Sequence, residues 1–175
     1  MKRGRMIADG TEHATLVFER EYPHAIEHVW DAIATPDGLR GWLMCTTVAI
    51  DGRVGGAIEM VAGPAQYRAR GTILRWDPPR ALEYEWRIAP VAEMPRGEQA
   101  IFCYELDPIT DGTRLIVTYR RITMQTARGF LPGTHAFLDR LEAQLAGEPL
   151  PDWHARFAAL RREYPEWSEH APAAG

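Results

Sequence analysis

A chain of 175 residues with 46% apolar and 25% charged side chains has the balance of one globular domain with room for a real core. Its formal net charge of −4 and pI near 5.9 give no electrostatic reason for a nucleic-acid partner. No apolar run approaches the roughly 20 residues that cross a bilayer, and the basic start, Lys2, Arg3 and Arg5, lacks the apolar stretch of a signal peptide behind it. The expectation is a cytoplasmic protein without membrane insertion.

Residues 1–13 are polar and read as a loose arm. A first strand is predicted over 15–22, where Leu16, Phe18 and Tyr22 alternate with polar neighbours, and Pro23 ends it. Ile26, Val29, Trp30 and Ile33 give the i, i+3, i+4, i+7 stripe of a short helix. A second follows, with Thr35 as cap, Pro36 at its first position and Asp37 near its positive end. It offers Leu39, Trp42 and Leu43 to the interior.

Strands are predicted next over 46–50, 53–62 and 66–76, with Gly55-Gly56 read as a bulge within the second and Gly71 as a bend within the third. Asp77-Pro78-Pro79-Arg80 breaks the chain. Leu82, Tyr84, Trp86 and Ile88 then alternate with Glu83, Glu85 and Arg87, which marks a strand with one dry face. After a loop over 89–98, strands are predicted over 98–106 and 113–121, and 122–133 reads as a link.

The stretch 130–145 organises the rest. Phe137, Leu138, Leu141 and Leu145 fall at helical spacing, extended backward by Leu131 and Thr134, while Asp139, Arg140, Glu142 and Gln144 take the other side before Gly147 stops the helix. Such a stripe must be buried, and nearly everything before it is strand. The predicted fold is therefore α+β: a curved antiparallel sheet of six to seven strands wrapped around a long C-terminal helix, with two short helices after the first strand. Residues 14–147 form this domain. Residues 148–175 read as an extension in which Asp152 caps a short helix offering Trp153, Phe157, Leu160 and Tyr164, ahead of a frayed tail.

Little here points to reaction chemistry. Cys45 and Cys103 are the only cysteines, too few for a disulfide scaffold or a metal knuckle. His24 and His28 share a helix spacing but bracket the apolar stripe, so they read as an exposed face; His13, His154 and His170 carry no signal. Ser168 is the only serine and Lys2 the only lysine, both in predicted tails, and no nucleophile elbow, P-loop or dinucleotide glycine pattern occurs. No catalytic residue, metal site or cofactor is expected, and binding is favoured over catalysis.

The local motifs carry a resemblance. YPHAIEHVWDAIATPDGLRGWL (22–43), VGGAIEM (54–60), GTILRWDPPRALEYEW (71–86), DGTRLIVTYRRI (111–122) and FLDRLEAQLAG (137–147) resemble, in order, the signatures of the SRPBCC (START-like) superfamily. They look most like the homologues of the activator of the heat-shock chaperone ATPase. The resemblance covers roughly 16–147 and implies a helix-grip fold. The eukaryotic activators also carry a separate amino-terminal domain that docks on the chaperone, for which this chain leaves no room.

A straight helix on a curved sheet leaves space between them, and Trp42, Tyr84, Trp86, Phe102, Tyr104, Tyr119 and Phe137 project to that side. His135 is placed at the mouth and Leu138 on the gripping face. The expected function is binding of a small hydrophobic or aromatic molecule by Trp42, Tyr84, Trp86, Phe102, Tyr104, Tyr119, His135 and Leu138. A chaperone-associated or stress-related interaction module and a low-turnover cyclase or hydrolase-like enzyme are the alternatives. Ile101, Cys103 and Ile116 on the far face of the strands would suit a homodimer interface.

Overall fold

The computed structural model describes residues 2–168. His170 and the rest of the predicted tail lie outside them. Eight strands form one antiparallel sheet: β1 (Arg5–Asp9), β2 (His13–Tyr22), β3 (Thr47–Ile50), β4 (Ala57–Ala62), β5 (Tyr67–Asp77), β6 (Ala81–Ile88), β7 (Glu98–Ile109) and β8 (Gly112–Thr123). Their order is β1-β2-β8-β7-β6-β5-β4-β3. Helices α1 (Ile26–Ala34) and α2 (Pro36–Trp42) join β2 to β3, α3 (Met124–Leu145) follows β8, and α4 (Trp153–Leu160) and the single turn α5 (Pro165–Ser168) end the described chain.

The count of six to seven strands is corrected to eight. The extra strand is β1, which lies in the segment expected to be a loose arm and pairs with β2 from Arg5↔Val17 to Asp9↔His13. It is almost fully exposed. An edge strand held mainly by backbone hydrogen bonds, with only Met6 half-buried on the core, shows no alternating pattern, so hydrophobic periodicity does not reveal it.

Two further boundaries move for local reasons. Gly55-Gly56 is not a bulge inside a strand but part of the connection between β3 and β4, where Gly55 has φ +83° and Asp51 N–H donates to Ala57 O. Helix α3 starts two turns earlier than expected and runs through Pro132. Its first turn is fixed by Thr123, whose side chain accepts from Thr126 N–H. The buried Glu98 carboxylate reinforces this end, accepting from Thr123 N–H at 3.1 Å and from Thr123 Oγ1 at 2.8 Å. A carboxylate at the positive end of a 22-residue helix is favourable.

The polar side of α3 is not left to solvent at its C-terminal end. Gln144 accepts from Trp42 N–H and donates to Gly38 O, both at 2.8 Å. Arg140 donates to Trp42 O and Gly41 O. His28 Nε2 lies 3.2 Å from Leu145 O, in place to donate to one of the carbonyls that a helix end leaves unpaired. Helix α3 packs on α1, α2 and α4 and on β1, β2 and β8. The remaining strands curve away from it.

Gly71 permits that curvature. A Cβ there would sit 1.5 Å from Glu85 O on the adjacent strand. Gly71→Ala is expected to destabilise by about 1–3 kcal/mol or prevent folding. Gly129→Ala, in α3 with its nearest neighbour an ordinary 3.7 Å from the added carbon, is expected to be neutral or stabilising by up to ~1 kcal/mol. Urea denaturation of the two variants against wild type checks both.

Candidate functional site

The strand register assembles an aromatic wall. Tyr84 lies opposite Phe102, and Phe102 opposite Tyr119, across β6, β7 and β8. Trp86 stacks on Phe102 with ring centres 4.7 Å apart, and Phe102 on Tyr119 at 4.0 Å. Phe130 of α3 meets both Trp86 and Tyr119 edge-on. Cross-strand aromatic pairs of this kind each contribute roughly 0.2–1 kcal/mol.

This wall bounds a cavity of about 1000 Å³. Met60, Tyr67 and Ala69 continue the sheet side; Phe130, Gly133, Thr134 and Phe137 form the α3 side; Trp153, Phe157 and Trp167 come from α4 and α5. The loop segments 63–65 and 93–97 complete the rim, with Glu12 and His13 at the turn between β1 and β2.

Within this largely aromatic lining Tyr84, Tyr104, Tyr119 and Thr134 each contribute a hydroxyl. Tyr84, Tyr104 and Tyr119 influence one another's ionisation, and Thr134 of α3 influences that of Tyr119. Burial is the main cause that pushes all three phenols up, Tyr119 to about 12. At neutral pH they are protonated, so they offer hydrogen bonds and not phenolate charge.

Of the eight residues expected to meet a ligand, Tyr84, Trp86, Phe102, Tyr104 and Tyr119 line the cavity. Trp42, His135 and Leu138 do not. The ring of Trp42 is buried under α1, its indole N–H donating to Ala32 O at 2.8 Å. On α3, positions 130, 134 and 137 turn to the cavity, whereas 131, 135 and 138 are buried with the core beside that stripe. One broad apolar stripe in the sequence thus serves two environments.

His135 belongs to a polar cluster away from the cavity. Tyr164 OH accepts from Gly4 N–H at 2.8 Å, which leaves its own proton for His135 Nδ1, also at 2.8 Å. That sets Nε2–H toward Asp139 Oδ1 at 3.6 Å, while Asp139 Oδ2 accepts from Arg156 Nε at 2.6 Å. Burial lowers His135 to about 4; the Asp139 carboxylate opposes this, and Arg20, Arg156 and Lys2 add to it.

The sequence reading missed Phe130 as a wall residue, assigned His13 no role, and took Trp153 and Phe157 only as packing residues. Their i, i+4 spacing on a short helix is the one signal that could have marked the last pair. Other expected candidates carry little chemistry. The free thiols are buried and pushed up by burial, Cys45 to about 11 and Cys103 to about 12, which disfavours the nucleophilic thiolate. Ile101 and Ile116 are half-buried on the outer face, where Arg120–Glu83 and Arg75–Glu105 ion pairs flank them. Among the described residues no three His, Cys, Asp or Glu side chains are grouped to hold a metal ion, and no helix is long and apolar enough to cross a membrane.

A curved sheet closed by one long helix over an internal chamber defines a helix-grip domain. The chain belongs to the family described as "Activator of Hsp90 ATPase homolog 1-like protein", whose model matches residues 23–146. No curated protein matches it in sequence. Among solved structures it is similar to CalU16 from Micromonospora echinospora, at 20% identity and TM-score 0.70 over 94% of each chain. A Bordetella parapertussis protein solved in solution is 27% identical at TM-score 0.66, with 90% of this chain and 86% of that one covered. Mll3558 from Rhizobium loti is 25% identical at 0.65, over 80% and 99%.

The His135 cluster gives a pH dependence with a definite sign. An imidazole in the unfolded chain protonates near 6.5, and in the fold only near 4. Between these values the unfolded state holds the extra proton, so stability present above pH 6.5 is lost as pH falls toward 4. His135→Gln keeps an acceptor for Tyr164 but cannot titrate. Calorimetry should show wild type losing on the order of 1 kcal/mol against this variant from pH 7 to pH 5, or about 2–4 °C. An unchanged difference would remove the assignment.

Proposed function

We propose that this protein binds a small, mainly apolar molecule carrying a single hydroxyl or carbonyl group, held in the cavity between sheet and α3. One observation carries the reading: an aromatic-lined space of about 1000 Å³ is bordered by four hydroxyl-bearing side chains, Tyr84, Tyr104, Tyr119 and Thr134. Small-molecule sites have this character, an apolar lining with a few placed polar groups that fix orientation. The upper end of the usual pocket range, roughly 300–1,000 Å³, suits a guest of several rings or a long chain. Protonated phenols favour recognition of a neutral oxygen over proton abstraction, which supports binding over the cyclase-like alternative.

The test uses 2-naphthol and naphthalene as neutral probes that differ by one hydroxyl. Wild type should show a concentration-dependent rise in melting temperature with both, larger for 2-naphthol. Tyr104→Phe should weaken 2-naphthol about fivefold to tenfold, the worth of roughly one hydrogen bond, and leave naphthalene unchanged. A wild-type protein whose melting temperature responds to neither probe counts against the reading.

A further inference from the structure

We infer that α4 and α5 form the specificity wall of this cavity, and that Trp153, Phe157 and Trp167 select planar aromatic guests over flexible aliphatic ones. This rests on the binding reading above and names the ligand class. The family match ends at residue 146, so these three rings belong to a segment added to the matched domain, yet all three line the chamber.

Their state of burial supports a role beyond packing. Leu160 and Tyr164, on the same segment, are fully buried against the body, so the extension already has its anchors. Trp153, Phe157 and Trp167 stay half-buried, on the side that lines the cavity. Trp153 stacks on Phe157 with centres 4.8 Å apart and planes 16° from parallel, and Trp167 meets Phe157 edge-on at 5.1 Å. The Trp153 indole N–H is already spent on Gly133 O at 3.2 Å, so toward the cavity this side chain offers only apolar ring surface.

The position of this wall is fixed by contacts that do not involve the cavity. Arg156 holds Asp139, Tyr164 holds His135 and Gly4, and Arg140 donates to Pro151 O ahead of α4. A wall held from behind presents its rings at a defined distance from the sheet. On the sheet side Trp86, Phe102 and Tyr119 again form near-parallel stacks. Flat rings on both walls gain from an offset-stacked or edge-on aromatic guest beyond the area they bury, whereas an alkyl chain gains only the area.

The experiment compares 2-naphthol with 1-decanol, each a neutral body with one hydroxyl, by calorimetric titration of wild type and of a Trp153→Leu/Phe157→Leu double variant. The expected result is a loss of about tenfold in 2-naphthol affinity with less than a twofold change for 1-decanol. A Trp153→Phe single variant, which keeps a flat ring, should recover most of the loss. If wild type binds neither compound, the binding reading itself falls. If wild type binds both and the double variant weakens both equally, or neither, binding stands and the specificity wall is overturned. Should the double variant fail to fold, wild-type protein with 2-naphthol answers by NMR: cross-relaxation between ligand protons and the Trp153 and Phe157 rings is expected, and its absence overturns the inference.

Discussion

The structure depends on how α3 is held at its two ends. At the first, β8 runs directly into the helix through Thr123, with the buried Glu98 carboxylate bound to both the N–H and the hydroxyl of that residue. At the second, Gln144, Arg140 and His28 tie the last turns to α2 and α1. A helix fixed at both ends cannot follow the curvature of the sheet. It packs on β1, β2 and β8, and the cavity lies between it and β4 to β8. The cavity follows from that mismatch, because close packing everywhere would require either a flat sheet or a bent helix.

Most of the fold was legible because period two and period three-point-six patterns report burial directly. The alternation at Leu82, Tyr84, Trp86 and Ile88 marked β6 and its inner face, and the Thr35-Pro36 start of α2 carried its own capping chemistry. What escaped shares a physical cause. Strand β1 is held by backbone pairing, which leaves no pattern in side chains. The early turns of α3 were read as a link, although the Pro132 ring is accommodated within the helix.

For the site, periodicity says that a position is buried but not against what. Leu138 and Phe137 are neighbours on one apolar stripe, yet the first is sealed in the core and the second borders the cavity. His135 was placed at the mouth because it precedes that stripe; in the fold it faces Tyr164, a partner 29 residues later that no local pattern joins to it. Trp42 likewise looked like a lining residue only because large rings suit both cores and pockets. The five aromatic residues of β6, β7 and β8 were legible because a strand has only two faces, and register then brought them together.

The tyrosines place polar groups on the border of a largely apolar cavity. Burying a hydroxyl without a partner costs roughly 1–3 kcal/mol, so phenols in an aromatic wall gain from lining a cavity where a polar group can reach them. Tyr84, Tyr104 and Tyr119 lie within mutual electrostatic reach, and Thr134 of the facing helix lies within reach of Tyr119. A hydroxyl can donate one bond and accept others. Each of the four hydroxyls on the cavity border has both donor and acceptor capacity. The aromatic walls set the shape of the space, and the hydroxyls of Tyr84, Tyr104, Tyr119 and Thr134 are among the polar groups on its border.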